Sequence, residues 1–283
     1  MPRPEQNGGN PHEQFSNNRE ARFTPPDPQR WPTHWQVPTS ADLQEAEARY
    51  RRGLLPVHAP LLHQMAPSLG VGTAETVEVA EQLYAAARRQ ADDGEGRMVG
   101  LAAPQVGIAA RTFLFDPRES PGSPWPPVDE LRCVVNPTVE PIGDAVVKDV
   151  EGCLSTGRIR GWVQRAARVR VCGYTPAGDP LNEVHTGLAA RVLQHEADHL
   201  NGILYPSQIT DDDDLLWSSV EQDDQFIAYV RTHRQGDSQR WPTRLPRDQW
   251  EAARAGLPIL GSLAPANSPV VNAPTEIAES GWG

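Results

Sequence analysis

Gln194-His195-Glu196-Ala197-Asp198-His199-Leu200-Asn201-Gly202 carries two histidines four residues apart, with a glutamate directly after the first. On a helix, positions i and i+4 lie one turn apart on the same face, so both imidazoles can reach one metal ion. Glu196 then lies within reach of a water at that ion. Upstream, Leu188 to Leu193 is made mostly of good helix formers, with Thr186 or Gly187 placed to cap the start. Asn201-Gly202 is a stop signal after the last turn. The spacing predicts a helix bearing two metal ligands and a proton acceptor. A third ligand must come from elsewhere.

The chain has 283 residues, 38% of them hydrophobic, which supports a packed core, while 28 Pro and 23 Gly leave part of the length irregular. A net charge of −11 argues against a general binder of DNA or of anionic membranes. No apolar run approaches the roughly 20 residues that cross a bilayer. The first residues, Met1 to Asn7, offer no apolar signal-peptide core. Cys133, Cys153 and Cys172 make no disulfide framework and suit a reducing cytosol, where a thiol is free to bind metal. The expected location is cytoplasmic.

Outward from the histidine helix, residues 1–45 are rich in Pro, Asn and Gln and read as a disordered or loosely packed extension, with Trp31 and Trp35 as isolated aromatics. Thr76, Val79, Leu83 and Ala87 recur at helical spacing, predicting a helix over Thr73–Ala91 that ends in the polar turn Asp92–Gly96. In Met98 to Gly107, small residues permit close backbone approach, and Pro104 forbids a regular helix or central strand. Gln105 is placed there to hold a polar ligand, a tight structural turn being the alternative. Arg111–Phe115 and Arg132–Pro137 read as strands, the second ended by its proline, with a Pro-rich loop over Ser120–Pro127 between them. Ala145–Val150 reads as another strand and runs into Glu151-Gly152-Cys153-Leu154-Ser155. Val163–Val171 with Gly173-Tyr174, then Pro180–Val184, predict a hairpin around Pro176–Asp179. Thr210 is placed to cap a helix beginning at Asp211–Asp214, whose carboxylates suit a helix start. The division expected is 1–45 extension, 46–210 catalytic domain and 211–283 C-terminal extension with one helix and a Pro-rich tail.

Taken in order, Gly100-Leu101-Ala102-Ala103-Pro104-Gln105-Val106-Gly107, Glu151-Gly152-Cys153-Leu154-Ser155 and Gln194–Leu200 resemble the three motifs of peptide deformylases. The resemblance runs from about Gly53 to Gln208. It implies an α+β fold, with small mixed and antiparallel strands packed around the central helix. It also implies metal-dependent hydrolysis of the N-formyl group of N-formylmethionyl peptides, releasing formate. Cys153, His195 and His199 would be the metal ligands, leaving a fourth tetrahedral position for water. Glu196 would carry the proton, and the Gln105 amide and Leu154 backbone N–H would face the developing oxyanion. Val99, Gly100 and Gly152 would flank the substrate backbone, Arg160 its downstream part, and Leu188 and Val192 the methionine side chain. Arg165 would pair with Glu151. Iron(II) is the ion implied, with zinc or nickel compatible. The implied partners are the formylated peptide and the ribosome from which such chains emerge, with no DNA and no membrane. Met98, Gly157 and His58-Ala59-Pro60 depart from the family pattern, in which Gly, Pro and Gly-Asp-Pro are usual. An H-E-x-x-H peptidase, and a specialised or inactive homologue acting on another N-formyl compound, are the competing readings.

Overall fold

The computed structural model describes residues 31–91, 98–120, 126–233 and 241–256. Helix α1 (Ser40–Arg51) starts at a capping box, with the Thr39 side chain accepting from the Asp42 N–H and the Asp42 carboxylate accepting from the Thr39 N–H. Helix α2 (Ala74–Ala91) follows, and Leu83 and Ala87 of its predicted stripe are fully buried. Eight strands come next: β1 (Gly100–Ala102), β2 (Thr112–Phe115), β3 (Arg132–Pro141), β4 (Val146–Gly152), β5 (Ile159–Ala166), β6 (Arg168–Tyr174), β7 (Pro180–Thr186) and, after helix α3 (Gly187–Leu200), β8 (Leu215–Trp217). Two short helices, α4 (Asp223–Thr232) and α5 (Arg247–Arg254), complete the described elements.

All strand pairs are antiparallel. They form a five-stranded sheet in the order β1-β2-β3-β6-β7 and a three-stranded sheet in the order β4-β5-β8. Helix α3 lies against strands of both sheets, as the α+β reading requires. Its apolar residues Ala190, Val192, Leu193 and Leu200 pack with Phe113, Phe115, Val169 and Val171 of the larger sheet. Burial of that stripe, at roughly 1.5–3 kcal/mol for a large aliphatic side chain, holds the helix in place and with it every polar group on its other face. Gly187, at φ +60, opens the helix where a Cβ would collide with the Glu119 carbonyl, and the Leu188 N–H donates to that carbonyl at 2.8 Å.

The structure corrects several expectations. The part of the N-terminal extension that is described is ordered: α1 begins inside it, and Trp31 and Trp35 pack against the cluster around Tyr205, Trp217 and Trp250. The cap Thr39-x-x-Asp42 is the local reason, and the aromatic docking site is the non-local one. Residues 1–30 and 257–283, the Asp92–Gly96 turn and most of the Ser120–Pro127 loop lie outside the described residues. β3 continues past Pro137 because the ladder slips between Val135 and Thr138, where a missing N–H costs no pairing. Asn136 takes φ 49 at that irregularity, and its side chain bonds both the N–H and the carbonyl of Leu69. The stretch Val163–Val171 is two strands rather than one, β5 and β6, which belong to different sheets. Asp211 caps only a 3-10 turn over Asp212–Asp214, and the wholly buried Leu215, Leu216 and Trp217 pair with β5 instead of continuing as a helix. The small sheet therefore runs past residue 210.

Candidate metal centre and its cavity

Three short segments deliver the polar groups. β1 and the 3-10 turn Ala103–Val106 bring Gly100 and Gln105, the end of β4 brings Glu151, Gly152, Cys153 and Leu154, and α3 brings Leu188, Arg191, Val192, His195, Glu196 and His199. One ligand atom each from Cys153, His195 and His199 lies within 4.8 Å of the others. The Cys153 Sγ is 3.3 Å from His199 Nε2. His195 Nδ1 is 2.9 Å from Glu151 Oε2. An ionised carboxylate can only accept, so Nδ1 carries the proton and Nε2 is left as the ligand lone pair.

Glu151 is fixed from three directions. Arg165 grips it with two bonds of 2.8 and 2.9 Å, and Arg191 Nη1 donates to Oε1 at 2.8 Å. Burial alone would raise its carboxyl, but the hydrogen bonds from Arg165 and His195 outweigh that and hold it well below the usual carboxylate range. Burial likewise opposes ionisation of the Cys153 thiol, yet the charge and hydrogen bonds of His199 and His195 hold it well below the usual thiol range. A thiolate beside two imidazoles is a donor set suited to zinc, iron or nickel.

Glu196 behaves differently. Burial pushes its carboxyl up to about 7, and Oε2 is buried without a hydrogen-bond partner. A carboxylate left unbonded at 4% exposure is ready to exchange a proton with something that enters the site. Gly100 faces it directly: a Cβ there would collide with Glu196 Oε1 and come within 2.9 Å of Val192 Cγ1. Gln105 is oriented by the Ala102 N–H, which donates to its Oε1 at 2.8 Å, so that Nε2 donates to Cys153 Sγ and Ser155 Oγ at 3.2 Å each.

These groups line a cavity of about 370 Å³. Of the residues singled out in the sequence, Val99, Gly100, Gln105, Gly152, Cys153, Leu154, Arg160, Leu188, Val192, His195 and Glu196 all line it, as does Met98. His199, 1% exposed, completes the ligand cluster without lining the cavity. The Arg165–Glu151 pair forms as the motif resemblance implies. Sequence reasoning missed Arg191, although it stands four residues before His195 on the same helix face, which is a readable signal. It also missed Glu45 and Arg49, lining residues that come from α1. Nothing near them in sequence marked them out.

This α+β chain gathers a thiol and two imidazoles, a set able to hold a metal ion, beside a buried glutamate with an unbonded oxygen. The polypeptide deformylase family model matches residues 52–214, and the chain belongs to that family. Peptide deformylase 2 of Ralstonia nicotianae is 42% identical over 115 residues, which is 41% of this chain and 65% of that protein. Peptide deformylase 1 of Nitrosomonas europaea is 43% identical over 112 residues, 40% of this chain and 64% of that protein. The matched segments thus span just under two thirds of these relatives' own length. A peptide deformylase of Acinetobacter baumannii with Met-Ala-Ser bound is 30% identical, over 55% of this chain and 96% of that one, with a TM-score of 0.48. Among the described residues no helix is long and apolar enough to cross a membrane.

Proposed function

We propose that this chain hydrolyses the N-formyl amide of N-formylmethionyl peptides, releasing formate and the free amine. The observation that carries the reading is the Cys153–His195–His199 cluster beside Glu196, a buried carboxyl raised to about 7 with one oxygen unbonded. Cys153, His195 and His199 would hold one divalent ion, iron(II) in our reading, with zinc or nickel fitting the same donors. When bound, the ion supplies positive charge that acidifies water and polarises a carbonyl.

The chain's own residues do the rest. Glu196 takes a proton from the attacking water as the new C–O bond forms, then delivers one to the departing nitrogen as the C–N bond breaks. Negative charge that builds on the formyl oxygen is met by the Gln105 Nε2–H, already aimed at the site by Ala102, and by the Leu154 backbone N–H. Glu151 fixes His195 as neutral at Nε2, and Arg165 and Arg191 keep Glu151 ionised. Leu188 and Val192 give the cavity an apolar side fit for a methionine side chain, and Val99, Gly100 and Gly152 leave backbone within reach of a peptide. New chains at the ribosome in the cytoplasm are the setting in which such termini arise.

The test is formate release from a short N-formylmethionyl peptide by freshly purified protein handled without oxygen. Turnover with about one divalent ion per chain is expected, and Cys153→Ala, His195→Ala and His199→Ala should each lose both. Absence of formate release by the metal-loaded protein, or cleavage of an unformylated peptide at an internal bond instead, would overturn the reading.

A further inference from the structure

Helix α1 ends before residue 52, where the family match begins, yet two of its side chains, Glu45 and Arg49, line the cavity. Arg49 is 6% exposed, which is rare for an arginine that is not fully paired. Its Nη1 donates to Glu45 Oε1 at 3.2 Å, while its Nε is buried without a hydrogen-bond partner. Glu45 is shared, because its other oxygen accepts from Arg158 Nη1 at 3.2 Å. Arg158 is further satisfied by Asp223 and by the Ser218 and Ser219 carbonyls.

The second cation of this wall is Arg160. It donates to the Gly157 and Ile159 carbonyls at 2.6 and 2.8 Å and pairs with no carboxylate among the described residues. Gly157 sits against both arginines. It adopts φ +62, which proline cannot reach, and a Cβ there would collide with the Arg49 guanidinium. The glycine thus makes the room in which Arg49 lies. Glu151, the other carboxylate of the lining outside the centre, is already saturated by Arg165, Arg191 and His195. Besides Arg191, which Glu151 holds, two guanidiniums therefore face the cavity against a single shared carboxylate, Glu45.

We propose that Arg49, acting with Arg160, is a specificity residue that binds a carboxylate of the substrate downstream of the formyl group. The chain then favours formylated peptides whose free C-terminus or acidic side chain reaches this wall over peptides that are neutral there. The proposal rests on the deformylase reading above and adds the chemistry of the substrate's far end. A charge-assisted hydrogen bond to a guanidinium in a partly desolvated cavity is strong enough to be read as roughly a tenfold preference.

The experiment compares formyl-Met-Ala-Ala, its C-terminal amide, and formyl-Met-Ala-Asp amide with the full-length metal-loaded protein. The free acid should exceed the amide in kcat/KM about tenfold, with the difference in KM. The aspartyl peptide tells whether a side-chain carboxylate serves as well as the terminus. Arg49→Gln should bring the ratio near one, Arg49→Lys should keep part of it, and Glu45→Gln, which removes the competing carboxylate, should raise it. A wild-type ratio near one for both acidic peptides overturns the proposal without reference to any variant. So does a preference that Arg49→Gln leaves intact. Calorimetric binding of the products Met-Ala-Ala and Met-Ala-Ala amide needs no turnover. Charge-dependent binding without deformylation would sink the activity and keep the anion site, whereas deformylation blind to charge would do the reverse.

Discussion

The metal centre and the wrap around it are built by different means. At the centre, each segment arrives with its chemistry already arranged: two histidines one turn apart, a cysteine two residues after a glutamate, and a glutamine held by a backbone N–H three residues away. The wrap, residues 31–51 and 241–256, has the capping box of α1 as its local signal and is otherwise held from far away in the chain. The Trp35 indole N–H donates to Asp248 across 213 residues, and the Gln36 N–H and carbonyl both bond the Gln249 side chain. Asp42 of α1 accepts the Val220 N–H at 2.8 Å, 178 residues away. Local geometry thus sets which reaction the centre can run, and long-range contacts set which groups enclose what enters it.

The sharpest way to break this division is to change proton transfer without touching the metal. Glu196→Gln keeps size and polarity and removes the proton acceptor proposed above. Formate release should fall by about 10²–10⁴-fold with metal content near that of the wild type, measured on the same samples without oxygen. Retained turnover with retained metal would mean another group carries the proton.

A second test asks how closely the backbone must approach. Gly100→Ala puts a methyl where Glu196 Oε1 and Val192 Cγ1 stand, so the carboxylate has to move. A shift of about 1 Å in a catalytic group costs on the order of 10²-fold in rate. Loss of rate with a normal thermal midpoint would place the effect in the site. Unchanged kinetics would show that the cavity yields there.

These two changes fall where the sequence was legible. His195 and His199 are read from a spacing of four, and the α+β architecture from the resemblance that the three motifs carry. Arg191 was just as readable, being one further turn back, and was overlooked. Arg49 was not readable: its role depends on Gly157, whose positive φ and missing Cβ acquire meaning only when α1 is seen lying on it. The strand Leu215–Trp217 was obscured by the four aspartates before it, whose helix-start chemistry is satisfied by a single 3-10 turn. Pro137 misled for a related reason, since a ladder irregularity absorbs the missing N–H.

The wrap should answer mutation with stability before chemistry. Asp42 is 2% exposed; it closes the capping box, bonds Val220 and lies 4.0 Å from the buried Arg158. Asp42→Ala removes the reciprocal half of the capping box and leaves the half-buried Thr39 and Val220 N–H groups without their acceptor, a loss of about 2–3 kcal/mol. Denaturant unfolding should show that loss while metal content stays at about one ion per chain. Metal lost in parallel with stability would mean that the centre depends on the wrap and that the two regions are one unit.

The smallest effect expected is at Asp248, where the two ends of the wrap meet. Its Oδ2 accepts from the Trp35 indole at 2.8 Å and lies 2.9 Å from His34 Nε2, on a surface where Asp248 is 46% and His34 59% exposed. Burial raises its carboxyl slightly, but the bonds from Trp35 and His34 prevail, so its pKa in the folded chain lies below its ordinary value. A depressed folded pKa means that the ionised form stabilises the fold: the contribution is complete above the unfolded value, about 3.9, and is lost as pH falls through the lower folded value. Because the pair is exposed, solvent screening keeps the gain to about 0.5 kcal/mol. Asp248→Asn should therefore lower the thermal midpoint by only a degree or two at pH 7, and the difference from wild type should close as pH drops below about 4. A difference that persists unchanged at pH 3 would mean that the carboxylate charge plays no part in joining Trp35 to α5, and that the indole contact with its apolar neighbours alone holds the ends together.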